Sequence, residues 1–392
     1  MPPTLRQCFY MALPCRGLLV PLFRSSWGRW RSVPAQYWRN PQQPGCMCFG
    51  SARSSGDPEC EPHTPVLLNE VLHYLDIQPG QVFLDLTFGG GGHSKAILRS
   101  VPGVTVVAAD RDPVAFRLAQ KLAEEYPGQV RPVLARFSQL RELLPSLGLA
   151  DSGLDAALLD AGCSSMQMDV AVRGFSLSKD GPLDMRMDGD RYPAMPGAAD
   201  AVNALDQQAL TSVLATYGEE RHARKIAAAI AQARSFHPIV RTQQLARIVA
   251  GAFPACAEYA RRDRLQRPSH VATKTFQALR VFVNDELNEL VAGLQEAQRL
   301  LRPGGRLCVL TFHSLEDRIV KRFLRGEDLA APRRGGVRQL IRAADEEQDG
   351  EEGEAESGRW AHLRRKVVLP SKEEVQGNPR GRSAKLRAAM RL

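Results

Sequence analysis

The segment Leu84-Asp85-Leu86-Thr87-Phe88-Gly89-Gly90-Gly91-Gly92-His93-Ser94 sets four glycines in a row, with a carboxylate, Asp85, four places before the first. A second carboxylate, Asp110, follows Gly91 by 19 positions. Glycines let a backbone turn tightly and approach a bound molecule with no Cβ in the way. The dinucleotide spacing G-x-G-x-x-G is met at Gly89 and Gly91, but its third place is Ser94. A carboxylate before the loop suits a cationic amino-acid cofactor better than a pyrophosphate. The loop therefore points to S-adenosylmethionine over NAD. At Asp110 a carboxylate can accept both hydroxyls of a ribose, which fits either adenosine cofactor. The other reading of Asp110 is a cap for the helix expected from Pro113, although Asp112 is better placed for that.

These residues need a scaffold, and the chain alternates strand and helix patterns around them. Val82–Thr87 reads as a strand, followed by the glycine loop and a helix from about Ser94. Thr105–Asp110 reads as a second strand with a helix from Pro113 to Glu125, and Val130–Ala135 and Ala156–Ala161 as a third and a fourth. Runs this apolar suit a parallel sheet covered on both faces, an open doubly wound α/β fold. The alternation then stops. From Met168 to Lys274 strand signals are weak and Arg/Ala-rich helical stretches appear (Glu219–Arg234, Arg241–Ala252). One long helix is expected over Thr275–Leu301, stopped by Pro303-Gly304-Gly305. A fifth strand over Arg306–Phe312 resumes the sheet, and a helix over Ser314–Arg325 starts with Ser314 as N-cap and Asp317 three residues on. The expected divisions are a leader over 1–60, a first core part over 61–167, a helical insertion over 168–274 and a second core part over 275–392. A mobile loop is expected over 326–365.

Net charge is +9 over 392 residues. Residues 345–356 carry eight acidic groups and no basic one; without them the chain beyond Cys60 is +12. A body that basic suggests a polyanionic partner. The first 56 residues contain no Asp or Glu and seven arginines, interleaved with aromatic residues. That is the pattern of an organellar transit peptide; a basic tail that touches RNA is the other reading. No stretch is apolar enough to span a bilayer. Five of the eight cysteines fall in or beside the leader, and Cys163, Cys256 and Cys308 are far apart. This spacing is neither a disulfide framework nor a zinc set, and no metal is expected.

Ordered along the chain are His63-Thr64-Pro65-Val66-Leu67-Leu68-Asn69-Glu70, the glycine loop, Asp110-Arg111-Asp112-Pro113, and Leu158-Leu159-Asp160-Ala161-Gly162-Cys163-Ser164-Ser165. Next come Arg173-Gly174-Phe175-Ser176, Asp180 to Asp188 (DGPLDMRMD) and Tyr217-Gly218-Glu219-Glu220-Arg221. Thr275 to Arg280 (TFQALR), Phe312 to Lys321 (FHSLEDRIVK) and Asn378-Pro379-Arg380-x-Arg382-Ser383 complete the set. In these motifs and their order the chain resembles the bacterial small-subunit rRNA (cytosine-N4)-methyltransferases of the RsmH/MraW type and their mitochondrial counterparts. It departs from them at Ala161, Cys163, Met166 and Val271, and in its acidic tract.

The resemblance implies a Rossmann-like S-adenosylmethionine-dependent methyltransferase sheet with an all-helical insertion after the fourth strand. It implies cofactor contacts at Gly91, Gly92, His93, Asp110, Phe137, Asp160 and Gln167. Loop amides and His93 would hold the methionyl part, Asp110 the ribose and Phe137 the adenine; Phe137 reads equally as a core aromatic. Asp160, at a strand's carboxyl end, is the candidate catalytic residue that orients cofactor and amine, or else contacts the cofactor alone. Asp184 and His313 are further candidates for base contact or proton acceptance. Arg221, Arg224, Lys225, Arg234, Arg241, Arg261, Arg262, Arg264 and Arg267 of the insertion, with Arg380, Arg382, Lys385, Arg387 and Arg391, offer charge for RNA phosphates or a solvated face. The expected partners are mitochondrial small-subunit rRNA in an assembling subunit and assembly factors, in the matrix, with no membrane. The competing classes are an RNA-binding assembly factor without transfer activity and an NAD-dependent oxidoreductase.

Overall fold

The computed structural model describes residues 65–148, 153–254, 261–262, 268–329 and 359–392. The leader and the acidic tract lie outside the described residues. Helix α1 (Leu68–Leu75) precedes β1 (Val82–Asp85), α2 (Gly92–Ser100), β2 (Thr105–Asp110), α3 (Pro113–Glu125) and β3 (Val130–Leu134). A short α4 (Leu140–Leu143) leads to β4 (Leu154–Asp160). The apolar runs that suggested strands do form them, because side chains on both faces are covered: Phe83, Leu84, Val106, Val107, Leu158 and Leu159 are fully buried. Asp112 caps α3 by accepting the Val114 amide at 2.9 Å, which frees Asp110 from capping that helix.

After β4 come α5 (Ser165–Asp169), α6 (Ala198–Ala204), α7 (Gln207–Gly218), α8 (Ala223–Arg234) and α9 (Thr242–Gly251). A two-residue ribbon, β5 (Arg261–Arg262) and β6 (Pro268–Ser269), precedes α10 (Thr273–Asn284) and α11 (Glu286–Leu300). Val202, Leu210, Leu214, Ile226, Ile230, Leu245 and Val249 share one apolar core with Leu279 and Val281 of α10. The single helix expected over Thr275–Leu301 is two helices. Asp285 breaks it with φ 50° and ψ 40°. No glycine or proline announces that break. Asn284 makes it from its side chain, accepting the Met187 amide at 2.8 Å and donating to the Met185 carbonyl at 2.7 Å.

The sheet resumes with β7 (Leu301–Thr311), followed by α12 (Ser314–Leu324), β8 (Trp360–His362), α13 (Lys372–Gly377) and β9 (Lys385–Arg391). Strand order is β3-β2-β1-β4-β7-β9-β8. The first five strands run parallel, while β9 is antiparallel to both β7 and β8. Winding direction reverses between β1 and β4, and a crevice opens beyond the carboxyl ends of strands at such a switch point.

Two expectations change here. His313, not Ser314, caps α12: His313 is extended at φ −141°, and it exchanges a capping box with Glu316. Of the mobile loop expected over 326–365, residues 330–358 lie outside the described residues, and its last part is built into the sheet: Trp360 is buried at 2% exposure in β8 and donates to Gln298. The basic C-terminal stretch is an interior strand. Its alternation of Lys385, Arg387 and Arg391 with Leu386, Ala388 and Met390 reads as β only once α12 covers one face.

Candidate active site

The loop between β1 and α2 is held from both neighbouring strands. On one side the Gly89 amide donates to Asp110 Oδ2 at 2.7 Å, and on the other Thr87 Oγ1 accepts the Asp160 amide at 2.7 Å. Gly91 adopts φ +77° as the residue before α2, and a Cβ there would lie 2.5 Å from the Phe88 ring. A Cβ on Gly92 would lie 2.4 Å from Pro65. Both positions exclude side chains sterically. His93, in the first turn of α2, is buried, and burial pushes its pKa down to about 4. The neutral ring donates from Nε2 to the Val66 carbonyl at 3.1 Å, so it also fastens the segment before α1 over the loop.

Three strand-end carboxylates converge here. Asp85 accepts the Ser94 hydroxyl at 2.7 Å and the Thr87 amide at 3.1 Å, and burial raises it to about 6 against both bonds. Its oxygens therefore shape the loop instead of facing a cationic cofactor. Asp110 is raised to about 7, first by burial and then by Asp112 and Asp85, although the Asp112 and Gly89 amides pull it down. Asp160 is raised furthest, to about 8, by burial and then by Asp85 and Glu316. Its Oδ1 is buried without a hydrogen-bond donor among the described residues. A buried acceptor left so is costly in an empty pocket and suits a ligand that brings donors or positive charge.

Around the crevice, the loop after β4 and the segment 173–192 are tied to the loops after β2 and β3. Gln167 spends its amide on the protein: Oε1 accepts the Ser164 amide at 3.0 Å and Nε2 donates to Asp112 at 2.9 Å. Arg173 reaches the same Asp112 oxygen at 2.8 Å. Phe137 lies in a 3-10 turn just after β3 and packs against Gly293 of α11, where a Cβ would come within 3.0 Å of its ring. Gly91, Gly92, His93, Asp110 and Asp160 thus gather at one spot, with Phe137 at the end of the next strand and Gln167 as a strut behind it.

The remaining candidates have internal partners. Asp184 is forked onto Arg186, at 2.5 and 3.1 Å. His313 Nδ1 accepts the Glu316 amide, and Nε2 stands 2.9 Å from Glu316 Oε1. Glu286, His313 and Glu316 lie close enough to share an ion, but Arg280 already grips Glu286 with two bonds at 2.9 and 3.0 Å. The same Arg280 donates to Cys163 at 3.0 Å in the loop after β4.

Several expected RNA contacts are corrected. Arg234 donates to the Val202 and Leu205 carbonyls, both at 2.6 Å, as an internal clip. Lys385 and Arg387 pair with Asp317 of α12, Arg391 donates to backbone carbonyls, and Arg380 pairs with Asp169. Exposed cations of the expected set are Arg221, Arg224, Lys225 and Arg382, with Arg241 held by Asp180 and Arg380 by Asp169. The side chains of Arg261, Arg262, Arg264 and Arg267 lie outside the described residues. Asp188, Arg111, Arg136 and Arg280 are further residues of the site's surroundings. For Asp188, Arg111 and Arg280 the only signal in the sequence is membership of the quoted motifs, and for Arg136 there is none, since burial cannot be read from an Asp or an Arg.

The sequence profile of the MraW methylase family matches residues 60–392. A 12S rRNA N(4)-cytidine methyltransferase METTL15 from Bos taurus is 59% identical over 337 residues, covering 84% of this chain and 83% of its own length. The Homo sapiens protein of the same name is 59% identical over 336 residues with the same coverage. A ribosomal RNA small subunit methyltransferase H from Methylorubrum populi is 46% identical over 329 residues, 84% of this chain and 87% of its own. A match over the sheet, the insertion and the C-terminal strand together leaves one assignment: the chain belongs to the MraW methylase family and is an S-adenosylmethionine-dependent methyltransferase.

Proposed function

We propose that the chain methylates the exocyclic N4 of a cytidine in mitochondrial small-subunit rRNA, within an assembling subunit in the matrix. The observation that carries the reading is the donorless, buried Oδ1 of Asp160 at the sheet's switch point, beside a loop that excludes side chains at Gly91 and Gly92. Relatives with 59% identity named for 12S rRNA N(4)-cytidine support the substrate. The arginine-rich, acid-free leader supports the compartment.

Bound S-adenosylmethionine supplies a methyl group already activated on a sulfonium, so the protein's task is alignment. Gly91, Gly92 and His93 would hold the amino-acid end, Asp110 the ribose and Phe137 the adenine. The amine of cytosine is a weak nucleophile because its lone pair is delocalised into the ring. Asp160 orients that amine through Oδ1 and takes up its proton, a role that its raised pKa suits near neutral pH. Residues 168–274 serve as the RNA-binding part, with Arg221, Arg224 and Lys225 neutralising phosphates. The target base must leave any duplex to reach the crevice.

The test is transfer of labelled methyl from S-adenosylmethionine to purified small-subunit rRNA, with the modified position mapped before and after depletion of the protein. Label at cytidine N4 is expected. Cofactor binding without transfer to any rRNA would leave an assembly factor instead.

A further inference from the structure

Asp188 stands in the segment after β4, far in sequence from the loops after β2 and β3, yet it fastens both. It is fully buried. Arg111, next to Asp110, donates to it at 2.5 Å; Arg136, next to Phe137, donates at 3.2 Å from Nε and 2.9 Å from Nη2. One carboxylate therefore bridges two guanidiniums, and each guanidinium adjoins a residue expected to hold one part of an adenosine. Neighbours of Asp188 reinforce the same join. Arg191 donates to the Leu134 carbonyl at 3.2 Å, and the Tyr192 ring lies 4.6 Å beneath Arg136 while its hydroxyl accepts from Gln139.

We infer that Asp188 is a positioning residue for the cofactor: docking of the inserted segment sets the spacing of the two loops that grip the nucleoside. The inference rests on the methyltransferase reading above and deepens it. The reason is geometric. Asp110 and Phe137 sit at the ends of adjacent strands, and strand pairing fixes Asp110 opposite Leu134 but stops there. Beyond that point the described side-chain bridge between the two loops runs through Asp188. An anion shared by two cations is also a sensitive joint, because losing it leaves two half-buried charges that repel each other. Affinity for the nucleoside half of the ligand is thereby coupled to seating of the insertion, and such coupling acts equally in both directions.

Calorimetric titration of the full chain with S-adenosylmethionine and with 5′-methylthioadenosine, which lacks the amino-acid end, tests this. Asp188→Asn should weaken both ligands by a common factor of about ten or more. In turnover, KM for the cofactor should rise by a similar factor while kcat at saturation is retained. Asp180→Asn cuts an exposed ion pair within the insertion that touches neither loop, and should leave both affinities unchanged. If Asp188→Asn does not fold, Arg136→Lys keeps the charge but loses the paired contact, and should weaken both ligands severalfold. Folded variants that bind both ligands within twofold of the parent would overturn the inference, as would a loss confined to S-adenosylmethionine. A parent chain that binds neither ligand would instead sink the methyltransferase reading beneath it.

Discussion

The crevice and the seam around it handle buried charge in opposite ways. At the ends of β1, β2 and β4, Asp85 is buried and Asp110 and Asp160 are half-buried, none with a cationic partner among the described residues, and all are pushed up, to about 6, 7 and 8. In the seam, Asp188 is fully buried but is saturated by Arg111 and Arg136, which hold it below the ordinary carboxylate range. Asp317 is likewise held down by Arg387 and Lys385. Burial alone would raise every one of them. The difference lies in where the arginines are placed. The seam is complete without a ligand, whereas the crevice is left short of positive charge, as a site for a sulfonium-bearing cofactor should be.

The largest expected break in that contrast is chemical. Asp160→Asn removes the charge but keeps the shape, and should slow methyl transfer by about 10²- to 10⁴-fold if the carboxylate takes up the proton. A measurement of kcat and KM separates the roles: a rise in cofactor KM with kcat intact would reduce Asp160 to a cofactor contact. Full activity would remove it from the mechanism.

A smaller effect is expected in stability against pH. A carboxyl whose folded pKa lies above its unfolded value keeps its proton in the folded state while the unfolded chain has lost it, so stability falls as pH rises through that interval. Asp85, Asp110 and Asp160 all act in this sense from about pH 4 upward, to their limits near 6, 7 and 8. His93, lowered to about 4, acts oppositely between its folded and unfolded values and partly cancels them below pH 6.5. The clean window is therefore about pH 6.5 to 8, where Asp110 and then Asp160 act alone among the four. The melting temperature of the ligand-free protein should fall across it, with a shallower fall for Asp160→Asn. An unchanged slope in that variant would contradict the assignment. Asp188 works the other way: its contribution is present at neutral pH and lost only as pH drops below the ordinary carboxylate value of 3.8.

The smallest effect belongs to the rim. Arg380 and Asp169 pair at 2.6 Å with nearly half of each side chain exposed, so Arg380→Ala should cost about 0–1 kcal/mol in denaturant unfolding, and less in high salt. A loss near the roughly 3–5 kcal/mol typical of breaking a buried pair would show that this contact belongs to the seam.

Length and rhythm of apolar runs determined much on their own. Five parallel strands, the glycine turn, the Asp112 cap and the helical interruption follow from local pattern, because a strand buried on both faces must be apolar throughout and a tight turn must lack side chains. Asp110 is legible as the carboxylate that ends an apolar strand run, and Gly91 and Gly92 as part of a turn that must lack side chains, whereas Asp160 enters as a site residue through the family resemblance. What only the tertiary structure decided is the fate of polar residues. Asn284 breaks a helix because Met185 and Met187 lie beside it, and Lys385 and Arg387 belong to a strand because Asp317 waits across it. Asp188 bridges two arginines and Asp160 Oδ1 is left without a donor among the described residues, though both are aspartates after apolar neighbours. Apolar burial is read from one residue and its period, whereas the role of a buried charge depends on a partner that the chain brings from far away.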